Sequence, residues 1–193
     1  EKLVKSLAKR RDSNVAATGI LAARHGPRIP DGFGGSIVAH AQMKTDTNAL
    51  VDGIFMAAER LDDKDVDDEG RALFVRPSEY YRLIKHKDTI HRDYDGNGSI
   101  AKGKIHELAG FTIIKTNNLP NKVVTTDKAK YNGDFSKTVA LAMTEEAVGT
   151  VELMGLRTSL NEIPTRDTFL LKAKFVIGHG VLRPECAVEI AAE

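Results

Sequence analysis

The stretch Gly70-Arg71-Ala72-Leu73-Phe74-Val75-Arg76-Pro77-Ser78-Glu79-Tyr80-Tyr81 joins a short apolar run directly to the start of a helix. The run at 71–75 predicts a buried strand, because a short apolar run bounded by polar residues is typical of a strand covered on both faces. Pro77 and Ser78 predict the first helical turn, where proline's fixed φ angle suits the helix and its missing N–H needs no partner. A strand that leads directly into a helix indicates a fold that mixes the two.

Two more helices are predicted upstream of this stretch. Apolar residues recur at roughly helical spacing over residues 3–24, until glycine and proline in His25-Gly26-Pro27 end the pattern. A second amphipathic pattern covers residues 46–61. Thr45 or Asp46 is placed to accept hydrogen bonds from the first free N–H groups of this second helix.

Most of the predicted strands lie in the last third of the chain. Alternation is clearest where apolar residues at 171, 173, 175 and 177 are separated by Lys172, Lys174 and Val176. The polar stretch 120–137 predicts a surface loop. Mixed helices and strands, followed mostly by strands, indicate an α+β fold. The strands predicted after the first cover residues 111–114, 138–143, 150–158, 168–177 and 186–190.

Composition excludes several classes of protein. Lys and Arg number 28 against 27 Asp and Glu, a net charge of +1 that gives no electrostatic case for a dedicated nucleic-acid or anionic-membrane binder. No apolar run approaches the roughly 20 residues of a membrane helix. The single cysteine, Cys186, excludes an internal disulfide framework and a cysteine-based zinc site. A start at Glu1 instead of Met favours a processed chain or a piece of a longer one.

The segment Asp93-Tyr94-Asp95-Gly96-Asn97-Gly98-Ser99-Ile100 matches the first half of an EF-hand calcium loop. The twelfth loop position should be a bidentate glutamate, and here it is Lys104, a cation that would repel calcium. An ordinary turn explains the same residues, because Asp, Asn and Gly tolerate tight conformations. A calcium-binding module that uses the loop 93–98 stays open as an alternative function.

Cys186 and His179 could form a nucleophile and base, which keeps a cysteine hydrolase as a weaker alternative. No third orienting group is identifiable, and Cys186 lies in an apolar run, so packing as a small hydrophobic residue is favoured. The six histidines include no HxxxH or HxH pair that would indicate a metal site. We therefore predict no catalytic, cofactor-binding or metal-binding residues.

Two further stretches have ordinary explanations. Gly32-Phe33-Gly34-Gly35 completes no phosphate-binding motif, so it predicts a turn or hinge within the connector 30–35, which is the clearest domain boundary. The acidic run 62–69 could bind cations or a basic partner, but such a run is more typical of a solvated helix end.

Several segments together resemble a known family. Glu146-Ala147-Val148-Gly149-Thr150-Val151-Glu152-Leu153, followed by Gly178-His179-Gly180-Val181-Leu182-Arg183-Pro184-Glu185, resembles the close of the major capsid proteins of T7-like tailed phages. The strand-to-helix stretch 70–81 resembles the same family in order. So do Gly98-Ser99-Ile100 and Ala109-Gly110-Phe111-Thr112-Ile113-Ile114.

The resemblance implies the HK97-like capsid fold, with an axial domain that points towards the capsomer centre and a peripheral domain that carries a spine helix and a strand ladder. Residues 1–28 would be the end of the spine helix, 29–143 the axial domain and 144–193 the ladder. The loop 93–98 would be a variable loop that faces the capsomer axis. The family's N-terminal arm, extended loop and most of the spine helix have no counterpart, which favours a truncated chain.

The resemblance also implies a structural, non-enzymatic function without a cofactor. The protein would self-assemble into hexamers and pentamers of an icosahedral phage head that encloses double-stranded DNA without sequence-specific contact. Other expected partners are a scaffolding protein, a portal and, less strongly, a decoration protein. No membrane contact is expected. Assembly would occur in the host cytoplasm, and the final location would be the virion.

Overall fold

The computed structural model of the chain describes residues 2–85, 107–125, 128–163, 165 and 167–193. Its helices in these ranges are α1 (Lys2–Ala23), α2 (Thr47–Asp62) and α3 (Pro77–Lys85), with single 3₁₀ turns at Ala129–Tyr131, Glu145–Ala147 and Pro184–Cys186. Its strands there are β1 (Ser36–Ala39), β2 (Ala72–Val75), β3 (Glu107–Leu108), β4 (Phe111–Lys115), β5 (Val123–Val124), β6 (Gly133–Asp134), β7 (Thr138–Met143), β8 (Val148–Ile163), β9 (Thr168–Val181) and β10 (Ala187–Ala191). No described helix is long and apolar enough to cross a bilayer.

A mixed six-stranded sheet forms the centre of the fold, in the order β1-β10-β7-β2-β4-β3. β10 pairs parallel with β1 and antiparallel with β7, and β2 pairs parallel with β4. All five residues of β10 are buried, as are the first five of β7. Strands buried on both faces need a layer on each side of the sheet, and the helices supply these layers.

Helix α2 packs its apolar face against the sheet through Leu50, Ile54 and Leu61. The Asp46 side chain caps the helix by accepting a hydrogen bond from the Asn48 N–H at 3.0 Å. The helix and its cap confirm the pattern predicted at 46–61.

The end of α1 forms a second core with the segment that the sequence predicted as a surface loop. Phe135 is fully buried against Ile20 and Leu141, and Tyr131 is 4% exposed. The prediction of a surface loop over 120–137 is therefore wrong for Tyr131 and Phe135, although most described residues of the segment are exposed. This polar segment carries β5, β6 and a 3₁₀ turn, because its two aromatic side chains anchor it to the helix.

β8 and β9 form a long antiparallel hairpin, here called the ribbon, with a register that runs from Val148 opposite Val181 to Ile163 opposite Thr168. Among the described strands, none pairs with its outer edges. Most ribbon residues are exposed. The runs predicted at 150–158 and 168–177 lie within these longer strands.

The expected strand ladder over 144–193 loses its last strand. β10 belongs to the six-stranded sheet, because its side chains are buried on both faces and the ribbon offers no such covered position. Cys186 lies in the 3₁₀ turn that precedes β10, not in the strand itself. Pro184 occupies the first position of that turn and does not begin a strand.

Candidate assembly surface

The ribbon exposes large apolar side chains along most of its length. Leu153 is 83% exposed, Val151 74%, Phe169 69% and Leu160 65%. Single exposed apolar residues are common on proteins, but several large ones on one element indicate a surface that another molecule covers. The ribbon edges point to the same use, because no other described strand pairs with them.

Helix α1 covers one face of the ribbon near its base. The Arg11 guanidinium lies 6.0 Å from the centre of the Phe175 ring. Phe175 and Ile177 are partly buried, whereas Lys174 and Val176 between them are exposed. Side chains alternate between the two faces of a strand, so the ribbon has an inner face against α1 and an outer face that α1 does not cover.

His179 fastens the ribbon base to the segment around Tyr131. Its Nδ1 lies 2.9 Å from Thr150 Oγ1 on the facing strand, and its backbone N–H donates to the Tyr131 hydroxyl at 3.0 Å. Its Nε2 is buried without a hydrogen-bond partner in the described part of the chain. Burial lowers the pKa of His179, and the nearby cations Arg11 and Lys130 lower it further. The side chain is therefore held as neutral imidazole.

A buried ion pair attaches α1 to the central sheet. Arg24 Nε donates to Glu189 Oε2 at 2.6 Å and Arg24 Nη2 to Oε1 at 2.7 Å. The Thr138 hydroxyl donates to the same Oε1 at 2.6 Å, and Glu189 is 1% exposed. The hydrogen bonds that Arg24 donates to Glu189 are the main reason that the pKa of Arg24 is raised. One helix thus contacts both the sheet and the ribbon.

The structure does not bring Cys186 and His179 together as a nucleophile and base. Cys186 is fully buried with its Sγ 3.9 Å from Glu146 Oε2, and burial is the main cause that raises the pKa of the thiol. The His179 Nδ1 instead faces Thr150, and its backbone N–H donates to Tyr131. A buried thiol with a raised pKa and no imidazole partner among the described residues is a poor nucleophile, so the packing role fits and the hydrolase alternative loses its basis.

The loop 93–98 and Lys104, on which the calcium alternative depends, lie outside the described residues. Within the described ranges, no group of three or more His, Cys, Asp or Glu is placed to hold a metal ion.

The glycine-rich connector is a turn with a steric requirement. A Cβ on Gly35 would lie 2.3 Å from the carbonyl oxygens of Ala22 and Ala23, so only glycine fits against the end of α1. This close contact explains why residue 35 is glycine, and no phosphate ligand is needed to explain it.

Solved phage capsid proteins share this architecture. A chain in the capsid structure of the cyanophage P-SCSP1u is 30% identical, with a TM-score of 0.92 over 100% of this chain and 64% of that chain. The mature capsid of bacteriophage PhiM1 matches at 16% identity and a TM-score of 0.81 over 97% of this chain and 61% of that one. A structure from Mycobacterium phage Che8 matches at 20% identity with a TM-score of 0.68, over 97% and 60%. The fold is therefore the HK97-like capsid fold, and the class of protein is the phage capsid subunit.

The chain belongs to the Gp10A-like family of major capsid proteins, whose sequence model matches residues 1–191. The capsid resemblance of the sequence is thereby confirmed at the level of the family. A search of curated protein sequences finds no match. The chain spans 64% and 61% of the lengths of the cyanophage and PhiM1 capsid chains.

Proposed function

We propose that the protein builds the shell of an icosahedral phage head by self-assembly into hexamers and pentamers around double-stranded DNA. The observation that carries this proposal is the ribbon, an exposed apolar hairpin that α1 holds against the rest of the subunit. Membership of the major capsid protein family supports it. The proposed role is structural.

The mechanism is geometric. Burial of apolar surface is worth roughly 25 cal/mol per Å², so a neighbour that covers side chains such as Leu153 and Leu160 gains several kcal/mol. Different surfaces of successive subunits meet in a head-to-tail interface, which generates a closed ring when the rotation between subunits closes. Capsomers follow from a repeated contact of this kind.

The sheet pairing supports a revised division into domains. In this proposal α1 is the end of the spine helix, the ribbon is the ladder of the peripheral domain, and the six-stranded sheet is the core of the axial domain. The axial domain then includes β10 as well as most of residues 29–143. A single boundary at residue 143 does not fit this division, because β10 follows the ribbon in sequence and yet pairs with β7 of the six-stranded sheet.

A closer kinship with T7-like phages rests on two sequence motifs that meet in the structure. Residues 146–153 and 178–185 lie side by side at the ribbon base, where Val148 is opposite Val181 and Gly149 opposite Gly180. Arg183 closes this base through ion pairs with Glu146 and Glu185. By the same kinship we propose a scaffolding protein, a portal and a decoration protein as partners, assembly in the host cytoplasm, DNA contact without sequence specificity and residence in the virion.

The test is assembly of the full-length protein that contains this sequence. We expect capsomers or shells in sedimentation and electron microscopy, and we expect the double variant Leu153→Asp/Leu160→Asp to stay dissociated because its charges cannot be buried. Val123, 59% exposed on β5 and away from the ribbon, provides a matched control. Val123→Asp should assemble. A strictly monomeric wild-type protein, or a ribbon variant that assembles normally, would contradict the proposal.

A further inference from the structure

The outer face of the ribbon carries a cluster of three cations. Arg157 on β8 lies directly opposite Lys174 on β9, and Lys172 lies two residues away on the same face, opposite Ser159. All three side chains are exposed, and none forms an ion pair with a described residue. Like charges directly opposite each other destabilise a strand pair. Arg157 and Lys174 therefore repel each other in the isolated subunit. An anionic group of a neighbouring molecule would relieve this repulsion by binding to both.

This cationic face (Arg157, Lys172, Lys174) is accessible in the subunit. α1 packs on the opposite side of the ribbon, through the face that holds Phe175. Towards the ribbon base, Gly149 lies opposite Gly180, and a Cβ on Gly180 would meet no atom within 4 Å. Between this pair and the cations, Val151 is 74% exposed opposite Gly178.

The complementary charge lies on the same chain, at the end of α2. The acidic turn (residues 62–69) holds six carboxylates, and the buried Arg71 guanidinium binds two of them, Asp62 at 2.7 Å and Asp68 at 2.9 Å. The remaining acidic side chains are exposed and form no ion pair with a described residue: Asp63, Asp65, Asp67 and Glu69.

The acidic turn is rigid before any partner binds. The Val66 side chain is buried, its N–H donates to the Leu61 carbonyl at 3.1 Å, and Arg71 Nε donates to the Asp67 carbonyl at 3.0 Å. A preformed surface loses less conformational entropy on association than a flexible one.

We propose that the acidic turn of one subunit docks on the cationic face of the ribbon of a neighbouring copy. The inference rests on the proposed self-assembly and adds the specific pair of surfaces. In the described structure the two surfaces form no ion pair within one subunit, so both are available to neighbours. A turn that meets a ribbon is a head-to-tail contact, the kind that generates rings. Its charges set register and association rate, and salt weakens the contact.

The test is a charge swap in the full-length protein, with assembly followed by light scattering and electron microscopy in the absence of DNA. Arg157→Glu/Lys172→Glu/Lys174→Glu should raise the protein concentration needed for assembly by about tenfold or more, and so should Asp63→Lys/Asp67→Lys/Glu69→Lys. Asp65 is left unchanged because its φ of 52° is poorly suited to lysine. The six substitutions together should restore assembly to within about threefold of wild type.

The matched control reverses three exposed lysines outside the ribbon, in Lys2→Glu/Lys122→Glu/Lys137→Glu, and should assemble at the wild-type concentration. Thermal melting and circular dichroism establish that every variant is folded. A six-substitution variant no better than either triple variant would overturn the inference. So would a ribbon triple variant that assembles at the wild-type concentration. If such a variant also bound less added DNA than wild type, the cationic face would be assigned to DNA. Failure of the wild type to assemble would instead reject the proposed function, and the inference with it.

Discussion

At His179, burial and charge act in the same direction. Removal from water disfavours the imidazolium, and the cations Arg11 and Lys130 disfavour it further, so the pKa lies below the ordinary value of 6.5. Both facing elements, α1 and the 3₁₀ turn at 129–131, contribute a cation and no carboxylate to this shift. The ribbon base is therefore built for the neutral side chain.

This arrangement predicts a stability that falls in acid. Below about pH 6.5 the unfolded chain takes up a proton that the folded chain accepts only at lower pH, so unfolding binds protons in that window. Stability from His179 is complete above the window and is lost as the pH decreases through it. Urea unfolding of dissociated subunits from pH 8 to pH 5 should show a steeper loss for wild type than for His179→Asn.

The exposed His25 supplies the control for this measurement. His25→Asn should follow the wild-type dependence on pH. Parallel curves for wild type and His179→Asn would show that the buried imidazole does not determine the acid sensitivity.

Among the elements, α1 is joined to the central sheet by an ion pair at its end. The Arg24–Glu189 pair joins residues 165 positions apart in sequence, and Thr138 completes the coordination of the carboxylate. Loss of one partner leaves a charge buried without compensation, which costs far more than the pair itself contributes.

Arg24→Met should lower the free energy of unfolding by roughly 2–3 kcal/mol, less than for a fully buried pair because the arginine is 29% exposed. Adding Glu189→Gln should recover part of this loss, since a neutral amide is cheaper to bury and still bonds Thr138. Denaturant unfolding measures both variants. Arg60→Met, at an exposed arginine of α2, should change stability by less than about 0.5 kcal/mol. An equal loss of stability in Arg24→Met and Arg60→Met would contradict the stabilising role of the Arg24–Glu189 pair.

The elements that sequence predicted well are those with local signals. Asp46 caps α2, Pro77 begins α3, and the run at 72–75 forms β2, because capping, proline geometry and apolar runs act within a few residues. The partner of Glu189 and the burial of Tyr131 and Phe135 were missed, since these contacts depend on which distant segments meet. A buried acid in an apolar run, as in Ala187-Val188-Glu189-Ile190, is the one signal that could have suggested a distant cation.

The ribbon shows the same limit for the candidate site. Alternation at 171–177 predicted a strand with one apolar face, but it did not indicate how much of that face the subunit itself covers. In the structure, α1 covers only the part near Phe175, and Phe169 and Leu171 remain exposed. Alternation in the sequence indicates that one face of a strand is apolar. It does not indicate which molecule covers that face.

For the molecule as a whole, the uncovered ribbon determines how the protein behaves on its own. The two unpaired edges and the exposed apolar residues favour association, but nothing in an isolated ribbon selects one geometry. The related cyanophage capsid chain is longer, since 64% of it is matched here.

Residues 1–193 expressed alone should therefore associate irregularly and form no closed shells, whereas the full-length protein should form regular ones. Electron microscopy and sedimentation of both samples distinguish the two outcomes. The Leu153→Asp/Leu160→Asp variant of the short chain is the control, and it should aggregate less because its ribbon is more polar. Regular shells from residues 1–193 would show that the described segments suffice for assembly.

Helix α1 also sets the angle between the ribbon and the central sheet, because it contacts both. Its ribbon contact at Arg11 and its sheet contact at Arg24 lie roughly 20 Å apart along the axis, and each residue between them adds about 1.5 Å of rise and 100° of rotation. A single inserted residue would turn the ribbon by more than a quarter of a circle relative to the sheet. The number of residues between the two arginines therefore fixes how the ribbon is turned relative to the sheet.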